Sequence, residues 1–441
     1  MRNQISHAAN TAAEAPRALV PVFWVRIRFL YAVLGMVFYQ GAVAMPLRWL
    51  RGAPLTMQQG ESDVSLQIGQ ALILFGLFIF GWKHRRQVPK SLILILPITL
   101  ILGLCTVSTL WSGFPEITIR RSVTLLSCIA FGIYCYCEFG LWRAVELMTQ
   151  ITIVLAALSL AVYFLIPSLG HDVSEGYSNA LRGIYGQKNF VGAAMLLALN
   201  FGVCKAFYYS RLSLFDAVGL LLMLSCLVLS SSATAIGVFA IVFAMHLMNY
   251  SRRHWRLRVV LLYVFGVMAF ILVCGLVVSP ATMVGAIGRD LSFTGRVPLW
   301  QASIQAIAAK PILGYGYAAF WNADSTLTQY IWERAGWAAA HAHDAYIDLV
   351  LQVGLVGLVL YVLIWGRIFL LAKQGQRYGN FPEAHWALGI VVSVLIRNLD
   401  EGGELTPDTI TMLMTIALLA LESWRRGVRP RAMASRAQPQ I

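Results

Sequence analysis

Charge is what this chain is short of. Asp, Glu, Lys and Arg make up 12% of its 441 residues against 59% hydrophobic residues, and its mean hydropathy is +0.69. Soluble domains carry about 25% charged and roughly 45–50% apolar residues, so a water-soluble globule is excluded and an integral membrane protein implied. Nowhere do two aspartates stand two positions apart. That removes the Asp-x-Asp pattern that would clamp a sugar nucleotide's diphosphate through a divalent ion. The seven cysteines (Cys105, Cys128, Cys135, Cys137, Cys204, Cys226 and Cys274) all fall in apolar segments, so no disulfide framework is expected in an external loop. Cys135 and Cys137, two apart on a helix, point to nearly opposite sides and suit packing, not metal binding. Linkers, low-complexity tracts and internal repeats are missing too. One membrane domain is the expectation.

What the chain does have is apolar segments, near 29–45, 64–82, 91–110, 122–139, 144–167, 189–208, 213–230, 233–250, 257–279, 346–370, 384–398 and 406–423. A bilayer core takes about 20 residues of helix, which predicts an all-α polytopic protein of about 12 spans. The transmembrane domain is expected over 29–423, between a cytoplasmic segment 1–28 and a basic cytoplasmic tail 424–441. One large loop, 280–345, separates spans nine and ten. Ala42-Val43-Ala44 mimics a signal-peptide cleavage site, but the basic region before it is long, and the first helix is expected to be retained. With the N-terminus inside, 22 Lys and Arg fall on the inner side and 11 on the outer. This bias puts both termini in the cytoplasm and the long loop outside. The net charge of +14 then reflects topology and anionic lipid, and nucleic acid is not an expected partner.

Three external stretches are too polar for spacers: Trp111–Arg121, residues 168–189, and the loop 280–345 with Thr294-Gly-Arg296, Lys310-Pro-Ile-Leu-Gly314-Tyr-Gly316 and His341-Ala-His343-Asp344. Arg182, Arg289 and Arg296 are external and lie beside glycines or span ends. Guanidinium pairs with phosphate bidentately and keeps its charge, though external arginines also bind lipid headgroups. His343 stands at the expected start of the tenth span, where a general base could meet an acceptor hydroxyl. The helix dipole there favours neutral imidazole while Asp344 favours imidazolium. Asp344 is equally suited to cap that helix. His341-x-His343 with Asp344 is thin for a zinc or magnesium site, so no metal is expected. Gly314-Tyr-Gly316 lacks the strand–helix unit of a dinucleotide site. Gly354-Leu-Val-Gly357 reads as a small-residue packing face, and Arg397, Asn398, Asp400, Glu401 and Glu404 cluster at an external helix end.

Arg182-Gly-x-x-Gly-x-Lys188-Asn189, Thr294-Gly-Arg296…Trp300…Lys310-Pro-x-x-Gly-x-Gly316…Phe320 and His341-x-His343-Asp344…Gly354-x-x-Gly357 resemble the O-antigen ligase superfamily, over roughly residues 105–400. The Arg182 segment and Trp111-Ser…Pro115-Glu116 look most like its exopolysaccharide polymerase branch. Asp344 departs from the asparagine frequent in the family. The resemblance implies an enzyme of the bacterial inner membrane with its site facing the periplasm. Its donor would be an undecaprenyl-diphosphate-linked glycan, and its acceptor a sugar hydroxyl on a glycan or on lipid A-core. The transfer would be metal-independent and inverting, and would use no cofactor. His343 would be the base, with His341 and Asp344 accessory. Arg182 and Arg296 would bind the diphosphate, with Arg289 and Lys188 as further candidates. Membrane lipids and other polysaccharide assembly proteins would be partners. Polymerase and ligase share this donor and differ in acceptor. A transporter or non-catalytic assembly protein for lipid-linked sugars stands as the alternative class, but transport would need polar residues through the middle of several spans, which are nearly absent here.

Overall fold

A computed structural model describes residues 22–52, 63–172, 179–208, 212–251, 256, 258–260, 296–378, 382–401 and 405–427. The described residues are helical throughout, apart from turns and one antiparallel bridge between His171 and Leu181. In chain order the helices are α1 (Val22–Tyr39), α2 (Ala44–Leu50), α3 (Val64–Gly81), α4 (Val88–Leu94), α5 (Leu96–Val107), α6 (Pro115–Leu165) and α7 (Pro167–Gly170). They continue as α8 (Lys188–Tyr208), α9 (Leu214–Leu229), α10 (Ala233–Tyr250), α11 (Arg296–Ala309), α12 (Thr326–Ala335), α13 (Ala345–Tyr378), α14 (Pro382–Arg397) and α15 (Thr409–Arg425).

Six of these elements are long and apolar enough to cross a bilayer, or seven if α4 and α5, bent by 92° at Ile95, are one span. Pro97 in the first turn of α5 accounts for the bend, because its ring denies the helix a hydrogen bond and crowds the turn before it. The twelve segments read from the sequence exceed this count for two structural reasons. α6 holds two of them in 51 residues and is broken at Gly140, whose φ of 72° and ψ of 175° are not helical. At about 1.5 Å per residue its whole length would far exceed a hydrocarbon core of about 30 Å. α9, α14 and α15, with 16, 16 and 17 residues, are short. The ninth segment, 257–279, lies almost wholly outside the described residues, as do loop residues 280–295.

The main core draws on α1, α5, α6, α8, α13, α14 and α15. Outward faces stay apolar, with Phe78 72% and Leu165 79% exposed, as a lipid-facing surface requires. The loop has a second small core of Leu299, Ala302, Ala306, Phe320, Trp321, Ile331 and Ala342, shared with Leu351 of α13. The described part of the loop, 296–345, therefore folds as a unit docked on the bundle.

The docking uses a break in α13 at Gly354 (φ 68°, ψ −172°). The carbonyls of Leu351 and Gln352 accept from the N–H groups of Tyr315 and Gly316 at 2.8 and 2.9 Å, not from the next helical turn. The N–H groups of Leu355 and Val356 donate instead to the carbonyls of Pro311 and Ile312 at 2.8 and 3.3 Å. Four hydrogen bonds to the loop thus replace two i→i−4 bonds, and every freed backbone group is satisfied. A Cβ on Gly354 would lie 2.0 Å from the carbonyl oxygen of Ile312. Gly354 is therefore a point of backbone insertion, and not the helix-packing face expected from the sequence.

Candidate active site

The three polar stretches converge where the loop meets the bundle. Trp111 donates its indole N–H to the carbonyl of Leu313 at 3.2 Å, and the N–H of Tyr317 donates to Ser108 Oγ at 3.0 Å. The second stretch contributes Tyr185, and the side chain of Asn189 donates to Glu401. Between them lies a cavity of about 410 Å³ whose wall includes Arg121, Tyr185, Tyr317, Trp321, His341 and Arg397.

The His341–Asp344 turn is held on every side. The indole of Trp300 on α11 donates to the carbonyl of Ala342 at 2.8 Å. The carboxylate of Asp348 on α13 accepts from the Ala342 N–H at 3.0 Å and from the Trp321 indole at 2.6 Å. The N–H of Ala345 donates to the carbonyl of Asn398 at 2.9 Å, whose side chain in turn donates to the Tyr361 hydroxyl at 2.8 Å. His343 itself has φ of 52°, a left-handed conformation uncommon outside glycine and worth about 1–3 kcal/mol of strain that the surrounding bonds must offset. Asp344 is the cap of α13, its Oδ1 accepting from the N–H groups of Tyr346 and Ile347 at 2.9 Å each.

The two imidazoles lie with ring centroids 4.0 Å apart, and Trp337 stands 5.4 Å from His343. The His343 N–H donates to His341 Nδ1 at 3.1 Å. Burial, with Arg296 and Arg397 nearby, pushes the His341 pKa down from 6.5 to about 4. His341 is therefore neutral at pH 7. With Nδ1 accepting, its proton must sit on Nε2, from which it can donate but not accept.

Glu401, 4% exposed, completes the cluster. The ligand-capable atoms of His341, His343 and Glu401 all lie within 4.8 Å of one another, so the three could hold a metal ion. The positive charges felt at His341 from Arg296 and Arg397 oppose a dication there. No sequence argument had given Glu401 a role beyond membership of a charged helix end.

The other expected site residues fall as follows. Arg296 starts α11 and donates from Nη1 to the side chain and the carbonyl of Asp400, at 2.5 and 2.7 Å. Arg182 is 2% exposed, and its Nε and Nη2 donate to the carbonyls of Leu169 and Ser168 at 3.1–3.3 Å. It ties its own segment to Ser168 and Leu169 and does not line the cavity. Lys188 opens α8, its N–H donating to Asp172 Oδ2 at 2.9 Å. Arg289 and Glu404 lie outside the described residues. Among the loop's aromatic residues, Tyr317 and Trp321 face the cavity; Trp300 and Tyr315 are engaged with the loop's own backbone. The cavity's arginines are Arg121 and Arg397, which sequence reasoning did not assign. Arg397 was visible only as part of the charged cluster at 397–404.

The family model described as O-Antigen ligase matches residues 218–362. The chain is also 27% identical over 343 residues to the Exopolysaccharide production protein ExoQ of Rhizobium meliloti (strain 1021), covering 73% of this chain and 76% of that protein.

Proposed function

We propose that this member of the O-antigen ligase-like superfamily, a membrane enzyme of polysaccharide assembly, transfers an undecaprenyl-diphosphate-linked glycan to a sugar hydroxyl during exopolysaccharide or O-antigen polymerisation. The observation that carries this reading is the histidine pair beside a buried cavity under the docked loop.

In the proposed reaction His343 removes the proton of the acceptor hydroxyl. The oxygen attacks the anomeric carbon from the face opposite the leaving group, which inverts that centre. The bond to the diphosphate oxygen breaks, and the diphosphate leaves with the electron pair. The imidazolium formed on His343 sits beside the Glu401 carboxylate, which offsets its charge. His341, with a proton on Nε2, is a hydrogen-bond donor at the cavity wall. Arg296 is oriented by Asp400 at the edge of the same cluster. No metal takes part in this scheme. Its setting is the bacterial inner membrane, with the loop and cavity in the periplasm; its twelve-span topology puts both termini in the cytoplasm.

The likeness to an exopolysaccharide production protein supports a growing exopolysaccharide as the acceptor; a ligase would use lipid A-core instead. The test is purified full-length protein in lipid, given one undecaprenyl-diphosphate-linked repeat unit and no other acceptor. A ladder of longer lipid-linked chains, abolished in His343→Ala, is expected. Product forming only when lipid A-core is added would make the enzyme a ligase. An undiminished ladder from His343→Ala would remove His343 as the base.

A further inference from the structure

The loop 280–345 holds four tryptophans, and three of them turn their indoles inward. Trp300 donates to the Ala342 carbonyl, Trp321 to Asp348 and Trp332 to the Ala339 carbonyl, at 2.8, 2.6 and 2.8 Å. Trp337 does the opposite. It is 37% exposed, and its indole N–H makes no hydrogen bond among the described residues. A large aromatic ring left in water forgoes the burial that ordinarily favours its place in a fold.

The turn that carries this ring is tied at both ends. Gly336 ends α12 in the left-handed conformation, with φ of 80°, and its N–H donates to the Trp332 carbonyl at 2.8 Å. The Trp332 indole then reaches over to Ala339, which is fully buried in the loop's own core. Trp337 stands between these ties, and its exposed neighbours Gly336, Ala338 and Ala340 have no side chain long enough to cover it. Gln329, Glu333 and Arg334 of α12 are exposed and polar, so this side of the loop is wet. An open apolar surface with a polar rim marks a contact site. The ring's own contact is with His343, at 5.4 Å between centroids. The half-buried His343 thus touches His341 of the cavity wall at 4.0 Å and, separately, an exposed indole that is no part of that wall.

We propose that Trp337 is the platform on which the acceptor sugar stacks, so that the acceptor reaches His343 from the loop surface and not through the cavity. This rests on the glycan-transfer reading and deepens it. The face of an indole is negative, and the C–H groups on one face of a pyranose are weakly positive, so the two attract while the sugar's hydroxyls point outward from the ring edge. A pyranose stacked on Trp337 lies beside the imidazole that contacts the same indole, and an edge hydroxyl comes within reach of the base. The contact calls for no charge, so it accepts neutral and acidic sugars alike and sets orientation more than composition.

The experiment separates acceptor from donor. Full-length protein in nanodiscs receives saturating lipid-linked repeat unit and a varied concentration of labelled repeat-unit oligosaccharide freed of its lipid diphosphate, or of lipid A-core oligosaccharide if the enzyme is a ligase. Trp337→Ala and Trp337→Leu should each raise the KM for the free oligosaccharide by on the order of tenfold, with little change in kcat, and Trp337→Phe should recover most of it. Monodisperse elution shows that the variants fold. Tyr330, also exposed, packs under the Arg334 guanidinium at 5.4 Å, and Tyr330→Ala should leave the KM unchanged. An equal rise in Tyr330→Ala would make both residues anchors of the loop at the membrane and overturn the platform. An unchanged KM in Trp337→Ala and Trp337→Leu also overturns it, even where kcat falls, and leaves glycan transfer standing. Wild-type protein that transfers to no acceptor would overturn the functional reading. Saturation-transfer NMR on the free oligosaccharide then decides the platform alone: a signal lost in Trp337→Ala upholds it, and no signal or an unchanged one overturns it.

Discussion

Replacing Gly354 with alanine should undock the loop and silence the site without dismantling the bundle. The residue combines φ of 68° with ψ of −172°, a region essentially confined to glycine and costing about 1–3 kcal/mol for another residue. The added Cβ would also meet the Ile312 carbonyl oxygen at 2.0 Å and its carbon at 2.2 Å. These are backbone atoms and cannot swing aside as a side chain would. Relieving the clash means moving the 311–316 segment away from α13, which breaks at least two of the four hydrogen bonds across the insertion. Each buried hydrogen bond broken costs about 1–3 kcal/mol. The sum is roughly 3–9 kcal/mol against the docked loop, and even the low end shifts its equilibrium by about two orders of magnitude. The assay is amide hydrogen exchange at Tyr315, Gly316, Leu355 and Val356, together with glycan transfer. Protection at those four amides should fall and activity should be lost, while amides within α8 and α15 keep their protection. Gly366→Ala, in the same helix with no atom near its added Cβ, is the control; it should be neutral or gain up to about 1 kcal/mol. Wild-type protection and activity in Gly354→Ala would refute the insertion as the device that holds the loop.

Two further outcomes follow from the histidine cluster. His341 titrates near 4 when folded against 6.5 ordinarily, so the unfolded state binds the extra proton between those values. It should add no pH dependence above about pH 6.5, and should destabilise the docked loop progressively down to pH 4, by about 3 kcal/mol at full effect. Thermal melts of wild type and His341→Gln at pH 7 and 4.5 test this; an equal acid-induced loss in both would remove His341 as the source. A chelator added to purified enzyme should leave glycan transfer unchanged. Inhibition reversed by zinc or magnesium would instead assign a metal to His341, His343 and Glu401.

The apolar segments were legible because a helix in lipid must be apolar almost all round, and that writes itself as composition. Eleven of the twelve fall on helices, and the ninth lies outside the described residues. The three polar stretches were legible for the converse reason, and they do meet. What the sequence could not give was which glycine does what. Gly354 and Gly357 read as one packing motif, yet Gly354 alone has a positive φ and admits a foreign backbone. That role depends on Pro311–Gly316, some 40 residues away in sequence, and no local pattern encodes the pairing.

The arginines show the same limit more sharply. Arg182 stands in a glycine-rich polar stretch, which is the local signature of a phosphate cradle. Its geometry is that of a buried tie between carbonyls. Arg121 sits in the unremarked pair Arg120–Arg121, and Arg397 ends an apolar helix, so neither has a local signature at all. α6 and α14 bring them to one cavity, where the nearby carboxylates of Asp348 and Asp408 are already engaged. Whether a guanidinium is available to a ligand is set by what its neighbours have left unbonded. That is a property of the assembled site, and the same residue type in the same kind of loop serves as structure in one place and as candidate recognition in another.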